Sequence, residues 1–363
     1  MSNKTDVTRR EFIRAAAAVA GAAAGTRITH AETAERQEIS HNAAKGIVTM
    51  SDYSHVRGFN YQPSYGSHGL ETWGDAFDIA VIKKELLRGR QYFPKMNTIR
   101  LWLSYDAYIR QPGAMPKRFH SVIDLSEELG IRFIPTLFNG WHSCPDFGGI
   151  SVEMLGYWGA ADRFAGAFVP YIDAIVKPHA NDARILLWDL CNEPFNSAGC
   201  DASKKVVLDW LERVRRQCKD SGVNAPIAVG ATPSMDAIRM LEPISDVITF
   251  HPYYAWNAWV TTPQPFENFL DEAVAFGKSV GKPMLATETG WGALDDKKRS
   301  EVLAIELGAL TKRGLGFVAH LLHHTLVADG HRPEYGPISG AGYMAFVEKD
   351  GSLRPHHDIF NTF

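Results

Sequence analysis

The chain has 363 residues and a formal net charge of -3, and its hydrophobic (45%) and charged (22%) fractions are ordinary for a globular protein. A chain of this length buries about three quarters of its unfolded surface, so it needs neither disulfides nor metal ions to hold a core. The near-neutral charge excludes a strongly basic, nucleic-acid-binding surface. No run of about 18 apolar residues follows the first thirty positions, which excludes a membrane-spanning helix in the body of the chain.

The N-terminus carries a candidate export signal. Arg9 and Arg10 precede a weakly apolar run of alanine and glycine at residues 15–25, which is too short to span a membrane stably. This pattern resembles a twin-arginine signal, and an alanine-rich amphipathic helix is the alternative. We therefore expect a signal peptide and linker at residues 1–46, a catalytic domain at 47–363, and a periplasmic or extracellular location.

Eight short β-rich runs follow, nearly continuous in apolar residues, as expected for parallel strands that are covered on both faces. The runs are 57–61, 98–103, 131–138, 185–191, 227–230, 247–251, 283–287 and 316–321. Helical patterns separate them at 76–92, 119–129, 161–176, 204–218, 266–280 and 297–311. Gly130 and Gly281 each close a helix just before a strand.

This alternation in a chain of this size predicts an α/β fold, a single TIM-type (β/α)8 barrel. A doubly wound open sheet is the alternative, and it is disfavoured because no GxGxxG or P-loop sequence follows any strand. Enzymes with this barrel place their chemistry at the carboxyl ends of the strands.

Two of the predicted strands end in a glutamate. Glu193 follows the fourth strand, and Glu288 follows the apolar part of the seventh. Glutamate is rarely buried without a partner or a role. Two carboxylates that face each other across a pocket suit glycoside hydrolysis, in which one protonates the leaving oxygen and the other attacks the anomeric carbon or activates water.

The motifs around these glutamates, Asn192-Glu193-Pro194 and Thr287-Glu288-Thr289-Gly290, resemble those of clan A glycoside hydrolases. Among these, the chain resembles family 5, with its cellulases and β-mannanases, and the resemblance extends from Arg57 to about Leu322. It implies a retaining double displacement on β-linked glucan- or mannan-type carbohydrate. Glu193 would then be the acid/base, Glu288 the nucleophile, and Asn192 a contact of the sugar 2-hydroxyl.

Further positions fit the same resemblance as substrate-binding or positioning residues. Arg100 resembles the arginine that keeps the nucleophile ionised, and His251 and Tyr253 resemble the His-x-Tyr after strand six. Asn139 and Trp141 resemble the cleft-shaping loop of fungal-type β-mannanases. The resemblance therefore implies a sugar-binding cleft built from the ends of several strands.

Strand eight departs from the family pattern. His320 stands where clan A enzymes usually present a tryptophan as the floor of the cleavage subsite. An imidazole is a smaller platform with polar edges, so the sugar preference of this chain need not be the usual one.

The placement of the nine tryptophans indicates where aromatic surface is used. Five fall at or just after strand ends and are expected to stack on sugar: Trp102, Trp141, Trp256, Trp259 and Trp291. Trp158, in the loop after the third strand, is expected to join them. Trp188 and Trp210 are expected in the core, and Trp73 is undecided.

Two other classes of function remain as alternatives. His320, His323, His324 and His331 suggest a metal-dependent barrel hydrolase, but no His-x-His ends the first strand. The other alternative is a catalytically silent carbohydrate-binding barrel. We expect an oligo- or polysaccharide partner and neither metal nor cofactor, and the sequence leaves the oligomeric state open.

The four cysteines are too few for a disulfide scaffold. Cys191 lies in an apolar run and is expected to be a buried thiol. Cys144 and Cys200 fall in predicted loops that one bridge could join.

Overall fold

The computed structural model describes residues 52–140, 150–196, 198–254, 262–340 and 342–363. The described residues all belong to one compact unit, Met50–Phe363. The predicted signal peptide lies outside them, so residues 1–46 as an export signal and 47–363 as one catalytic domain stay predictions. Within the described part of the chain, no helix is both long enough and apolar enough to cross a membrane.

Eight strands form one parallel sheet, in the order β5-β4-β3-β2-β1-β8-β7-β6. They are β1 Arg57–Asn60, β2 Thr98–Trp102, β3 Arg132–Asn139, β4 Trp188–Asn192, β5 Ile227–Gly230, β6 Ile248–Phe250, β7 Met284–Thr289 and β8 Gly316–Ala319. An isolated parallel bridge between Ala231 and Phe250 joins the two outer strands, so the sheet closes on itself. The predicted (β/α)8 barrel is confirmed.

The helices run outside the sheet between the strands. They are α1 Gly69–Trp73, α2 Ile79–Tyr92, α3 Tyr105–Arg110, α4 Met115–Ile123, α5 Leu125–Leu129, α6 Val152–Trp158, α7 Phe164–Ala167, α8 Val169–Val176, α9 Asp201–Asp220, α10 Met235–Leu241, α11 Pro263–Val280 and α12 Asp296–Lys312. Short 3-10 turns occur at Lys177–His179, Glu242–Ile244, Pro333–Tyr335 and His357–Thr362.

Local sequence explains where several helices begin and end. The Asp78 side chain accepts hydrogen bonds from the amides of Ala80 and Val81, so α2 begins at Ile79 rather than at the predicted residue 76. Gly130 and Gly281 adopt positive φ angles of 61° and 68° and end α5 and α11, as predicted. The predicted helix 161–176 is instead two helices, α7 and α8, with a proline in the first turn of the second.

Side chains alternate between the barrel interior and the helix layer. In β2, Ile99 and Leu101 join the large apolar cluster between sheet and helices, whereas Arg100 lies buried on the opposite face. A separate apolar cluster includes Val56, Ile134 and residues from five other segments near the amino ends of the strands. The sheet thus has an apolar interior near one end and buried polar groups toward the carboxyl ends.

Candidate active site

Glu193 lies immediately after β4 and is 9% exposed. Its Oε1 is 2.7 Å from His251 Nδ1, and its Oε2 accepts a hydrogen bond from the side-chain amide of Asn196. Glu193 has a φ of 44°, a left-handed conformation that costs energy for a residue with a Cβ. Such backbone strain is concentrated at functional sites, where the surrounding structure enforces it.

Glu288 is in β7 and is 7% exposed. Its Oε2 accepts a 2.9 Å hydrogen bond from Arg100 Nη1, and its Oε1 accepts a 2.6 Å hydrogen bond from the Tyr253 hydroxyl. Burial alone raises the pKa of this carboxyl. The charges of His251, His320 and Arg100 and the Tyr253 hydrogen bond outweigh burial, and they bring the pKa from 4.5 to about 2.

The depressed pKa of Glu288 has a consequence for stability. A carboxyl whose folded pKa lies below its unfolded value contributes stability above the unfolded value, and the contribution is lost as pH falls toward the folded one. For Glu288 that window runs from pH 4.5 down to about 2. The carboxylate is therefore anionic throughout the neutral and mildly acidic range.

Arg100 is fully buried and forms the centre of a polar network. Besides Glu288, its guanidinium donates to Asp189 Oδ2 at 2.7 and 3.0 Å, to Asn192 Oδ1 at 2.7 Å and to Asn60 Oδ1 at 2.9 Å. The guanidinium is thus paired with two carboxylates through different nitrogens, which explains how its charge is accommodated without solvent. Arg100 therefore positions Glu288 and Asn192 relative to each other.

The Asn192 side chain lies between Arg100 and Asn139, another predicted site residue. Its Nδ2 donates to Asn139 Oδ1 at 3.0 Å, and Asn139 ends β3. An amide nitrogen carries two hydrogens, so Nδ2 has one left for a further acceptor.

His320 follows β8 and is 3% exposed. Its Nε2 lies 3.1 Å from Asp329 Oδ2, and its ring is perpendicular to that of Trp102, with centroids 5.8 Å apart. Burial lowers the pKa of this imidazole, but Asp329 and Glu288 outweigh burial and raise it overall. The position expected for an aromatic floor thus holds a polar ring with a cationic tendency.

The tryptophans only partly follow the prediction. Trp102 contacts the site, with the Arg100 guanidinium 4.9 Å from its ring, but it is 4% exposed, so little of its ring is accessible for the expected stacking on sugar. Trp291 is half-buried and Trp158 is exposed. Trp188 and Trp210 lie in the core as predicted, and Trp73 does too. Trp141, Trp256 and Trp259 lie outside the described residues.

Three further details concern cysteines and histidines. Cys191 is a buried free thiol, as predicted, and Cys200 is a free, exposed thiol. Cys144, its proposed bridging partner, lies outside the described residues, as does Trp141.

His323 binds the Arg88 side chain and the His324 carbonyl, and burial lowers the pKa of His324 to about 4.

Sequence reasoning missed two carboxylates of the site, Asp189 and Asp329. Asp189 is fully buried in the middle of β4 and also accepts from the Thr136 hydroxyl and the Gly230 amide. An acidic residue inside an otherwise apolar strand was the available signal for it. Asp329 lies in a loop, where an acidic residue carries no such signal.

One cluster of the described residues offers atoms that could ligate a metal ion. The carboxylates of Glu193 and Glu288 and the ring of His251 each present one ligand atom, and these atoms lie within 4.8 Å of one another. Two of these three groups, the carboxylates, are also the pair that acid–base and nucleophilic chemistry on a sugar requires.

Comparisons with known proteins identify a family and several similar enzymes. The model of the cellulase family (glycosyl hydrolase family 5) matches residues 58–323. The chain is 28% identical over 192 residues to mannan endo-1,4-beta-mannosidase A of Emericella nidulans, a match covering 48% of each chain. It is 26% identical over 200 residues to the enzyme of the same name from Aspergillus aculeatus, covering 48% of this chain and 51% of the other. The matches thus span about half the length of these curated relatives.

Solved structures share the fold. An exo-beta-1,4-mannosidase from an Opitutaceae bacterium superposes with a TM-score of 0.66 at 21% identity, over 84% of this chain and 58% of that one. An endo-1,4-beta-D-mannanase from Thermotoga petrophila superposes with a TM-score of 0.60 at 18% identity, over 85% and 98% of the two chains. Because the family model covers most of the barrel, the chain belongs to glycosyl hydrolase family 5.

Proposed function

We propose that this protein is a retaining glycoside hydrolase, with Glu288 as the nucleophile and Glu193 as the general acid/base. The observation that carries the proposal is the pair itself: two buried carboxylates at the ends of β4 and β7, with oxygens within 4.8 Å of each other. Retaining enzymes place their carboxyl groups about 5–5.5 Å apart, whereas inverting enzymes need about 6.5–9.5 Å to admit a water.

The two carboxylates have different surroundings, which favours different roles. Glu288 accepts from a guanidinium and a phenol, so it is held as an anion aimed from a fixed direction. Glu193 instead contacts an imidazole and a side-chain amide, and no guanidinium or ammonium pairs with it among the described residues. A carboxyl beside an imidazole can exchange a proton during the reaction, as an acid/base must.

The reaction then has two steps. Glu288 Oε attacks the anomeric carbon while Glu193 protonates the departing glycosidic oxygen, which leaves a covalent glycosyl-enzyme. Glu193, now ionised, takes a proton from water, and the resulting hydroxide equivalent displaces Glu288. The remaining Nδ2 hydrogen of Asn192 is available to a sugar hydroxyl, since its other hydrogen is bound to Asn139.

We propose a β-linked mannan- or glucan-type carbohydrate as the substrate. The names of the similar proteins favour mannan: two are mannan endo-1,4-beta-mannosidases, one is an exo-beta-1,4-mannosidase and one is an endo-1,4-beta-D-mannanase. Export through the twin-arginine signal, which would bring the enzyme to such polysaccharides, belongs to the same proposal.

A polysaccharide panel in the presence and absence of a chelator tests this function. We expect reducing-sugar release from a β-mannan or β-glucan that EDTA leaves unchanged. Loss of activity with EDTA and recovery with added metal would instead favour a metal ion held by Glu193, His251 and Glu288. Binding to the panel without any release would favour the carbohydrate-binding alternative.

The stereochemistry of the product is the second expected result. Proton NMR in the first minutes of hydrolysis should show the β-anomer of the released sugar, before mutarotation, because two inversions at one carbon restore its configuration. An initial α-anomer would contradict the double displacement and would assign Glu288 to the activation of water.

Tyr253→Phe should lower kcat/KM by about 10- to 100-fold, since a hydrogen bond to a charged group contributes about 1.5–3 kcal/mol. The bond favours the ionised form of Glu288, so its loss should raise the pKa of that carboxyl and move the acidic limb of kcat/KM upward from about pH 2. Tyr254→Phe is the matched control, because the Tyr254 ring packs against Phe266. An acidic limb at the same pH in both variants would remove Tyr253 from this role.

A further inference from the structure

Helix α12 buries two charged side chains that the catalytic proposal does not use. Arg299 and Glu306 are both fully buried and lie seven positions apart, so two helical turns bring them to the same face of α12. Burying a charge is costly unless it is paired and hydrogen-bonded. Among the described residues, however, neither side chain forms an ion pair with an acidic or basic partner; both bind backbone groups instead.

Glu306 binds the backbone of two loops around the catalytic pair. Its Oε1 accepts a 2.6 Å hydrogen bond from the Tyr254 amide, after β6. Its Oε2 accepts a 3.1 Å hydrogen bond from the Trp291 amide, after β7. One carboxylate therefore joins the segment that carries Tyr253 to the segment that carries Glu288.

Arg299 binds the carbonyl groups of the same region. Its Nε donates to the Trp291 carbonyl at 2.8 Å, and its Nη2 donates to the His320 carbonyl at 3.1 Å and also to that of Met344. Trp291 is therefore held at its amide by Glu306 and at its carbonyl by Arg299. The backbone at the ends of β7 and β8 is thus fixed to one rigid helix.

We propose that Glu306 and Arg299 are positioning residues of the active site, which hold the loops after β6, β7 and β8 so that Tyr253 stays hydrogen-bonded to Glu288. The inference rests on the proposed function, since it concerns the alignment of the proposed nucleophile. Tyr253 is one residue from the Glu306 contact at Tyr254, and Glu288 is three residues from the contact at Trp291. Displacement of a catalytic group by about 1 Å can cost 100-fold in rate.

The surroundings of Glu306 also change the pH at which its carboxyl titrates. Burial raises the pKa of the Glu306 carboxyl from 4.5 to about 7, against the two amides and Arg299, which lower it. The loops packed on it present backbone amides, and within the described residues Arg299 is the charged group that acts on it. Because the folded pKa is the higher one, stability falls as pH rises from 4.5 to about 7. The ionised carboxylate, which accepts from both amides, thus makes the fold less stable.

Glu306→Gln tests the proposal. Glutamine has one acceptor oxygen, so it keeps the hydrogen bond to one of the two backbone amides. Its side-chain NH2, a donor, then faces the other backbone amide, which is also a donor. We expect kcat/KM to fall by about 10- to 100-fold. The matched control is Glu301→Gln, on the exposed side of the same helix, which should keep wild-type kcat/KM.

A double-mutant cycle with Tyr253→Phe shows whether the effect passes through the nucleophile's partner. If Glu306 acts by holding Tyr253, the double variant should lose less than the product of the two single losses. Strict multiplication of the losses would overturn the proposal, and so would wild-type kcat/KM in Glu306→Gln. Inactive wild-type enzyme would instead refute the proposed function.

Glu306→Asp keeps the test decisive if the glutamine variant does not fold. Aspartate retains the charge but is one methylene shorter, so it cannot reach both amides from the same helix position. We expect a loss of kcat/KM in the same range, about 10-fold or more, and full activity of this variant would also overturn the proposal.

Discussion

Replacing Glu288 by alanine is expected to lower kcat by about 10⁴- to 10⁶-fold, the range seen when an enzyme loses its nucleophile. Of the two catalytic glutamates, Glu288 is the one whose carboxylate accepts hydrogen bonds from a guanidinium and a phenol, in the part of the chain that the structure describes. These bonds hold it as an anion. Alanine leaves a space where that oxygen stood. A small anion such as azide or formate should enter it and attack the anomeric carbon from the same side.

The rescued product identifies the role of Glu288. Attack by azide from the nucleophile's side is a single inversion, so a β-glycoside should give an α-glycosyl azide, detected by NMR. Glu301→Ala on the surface of α12 is the control for general damage and should leave kcat unchanged. Full activity of Glu288→Ala, or rescue with a β-glycosyl azide, would reject Glu288 as the nucleophile.

The barrel was predictable because its signals are local and repeated. Each strand is a short apolar run, six of the eight runs are followed by a helical pattern, and all eight runs overlap the observed strands. Strand ends were less certain. Ile185 begins the predicted fourth run, but it makes only an isolated bridge to Phe133, and the strand starts at Trp188. Helix breaks such as the one between α7 and α8 depend on packing, which the apolar pattern does not record.

The catalytic pair was predictable for a similar reason. Parallel strands bring their carboxyl ends to the same edge, so a glutamate at the end of β4 and another in β7 must lie near each other. Arg100, Asn192, His251 and Tyr253 also occupy strand ends, and the structure brings all four to the pair. The proximity of these residues follows from topology, although their roles remain a proposal.

The supporting network was not predictable because its partners come from unrelated segments. Asp329 reaches His320 from a loop, and Glu306 reaches the Tyr254 amide from the middle of a helix, 52 positions away. Neither contact leaves a periodic pattern. Likewise, the accessible surface of Trp102 depends on Arg100 and His320 packing around it, so its position at the end of β2 did not reveal that it is buried.

Glu193→Ala is the variant whose effect should depend most on the substrate. A leaving group such as dinitrophenol departs without protonation, so the glycosylation step should survive for this aryl glycoside. For a polysaccharide, whose leaving alcohol needs a proton, kcat/KM should fall by about 10²- to 10⁴-fold, the usual contribution of general acid catalysis.

The second step gives Glu193→Ala a further signature. Without a base to activate water, the glycosyl-enzyme should accumulate, so the aryl glycoside should show a burst of phenolate followed by slow turnover with a low KM. Azide, which needs no base, should restore turnover and give a β-glycosyl azide, the opposite anomer to that from Glu288→Ala. Equal losses on the aryl glycoside and the polysaccharide would contradict the assignment. If Glu288→Ala gives the α-glycosyl azide and Glu193→Ala gives the β-glycosyl azide, the role of each carboxylate is assigned separately. The two azides differ only in the face of the sugar that azide attacks.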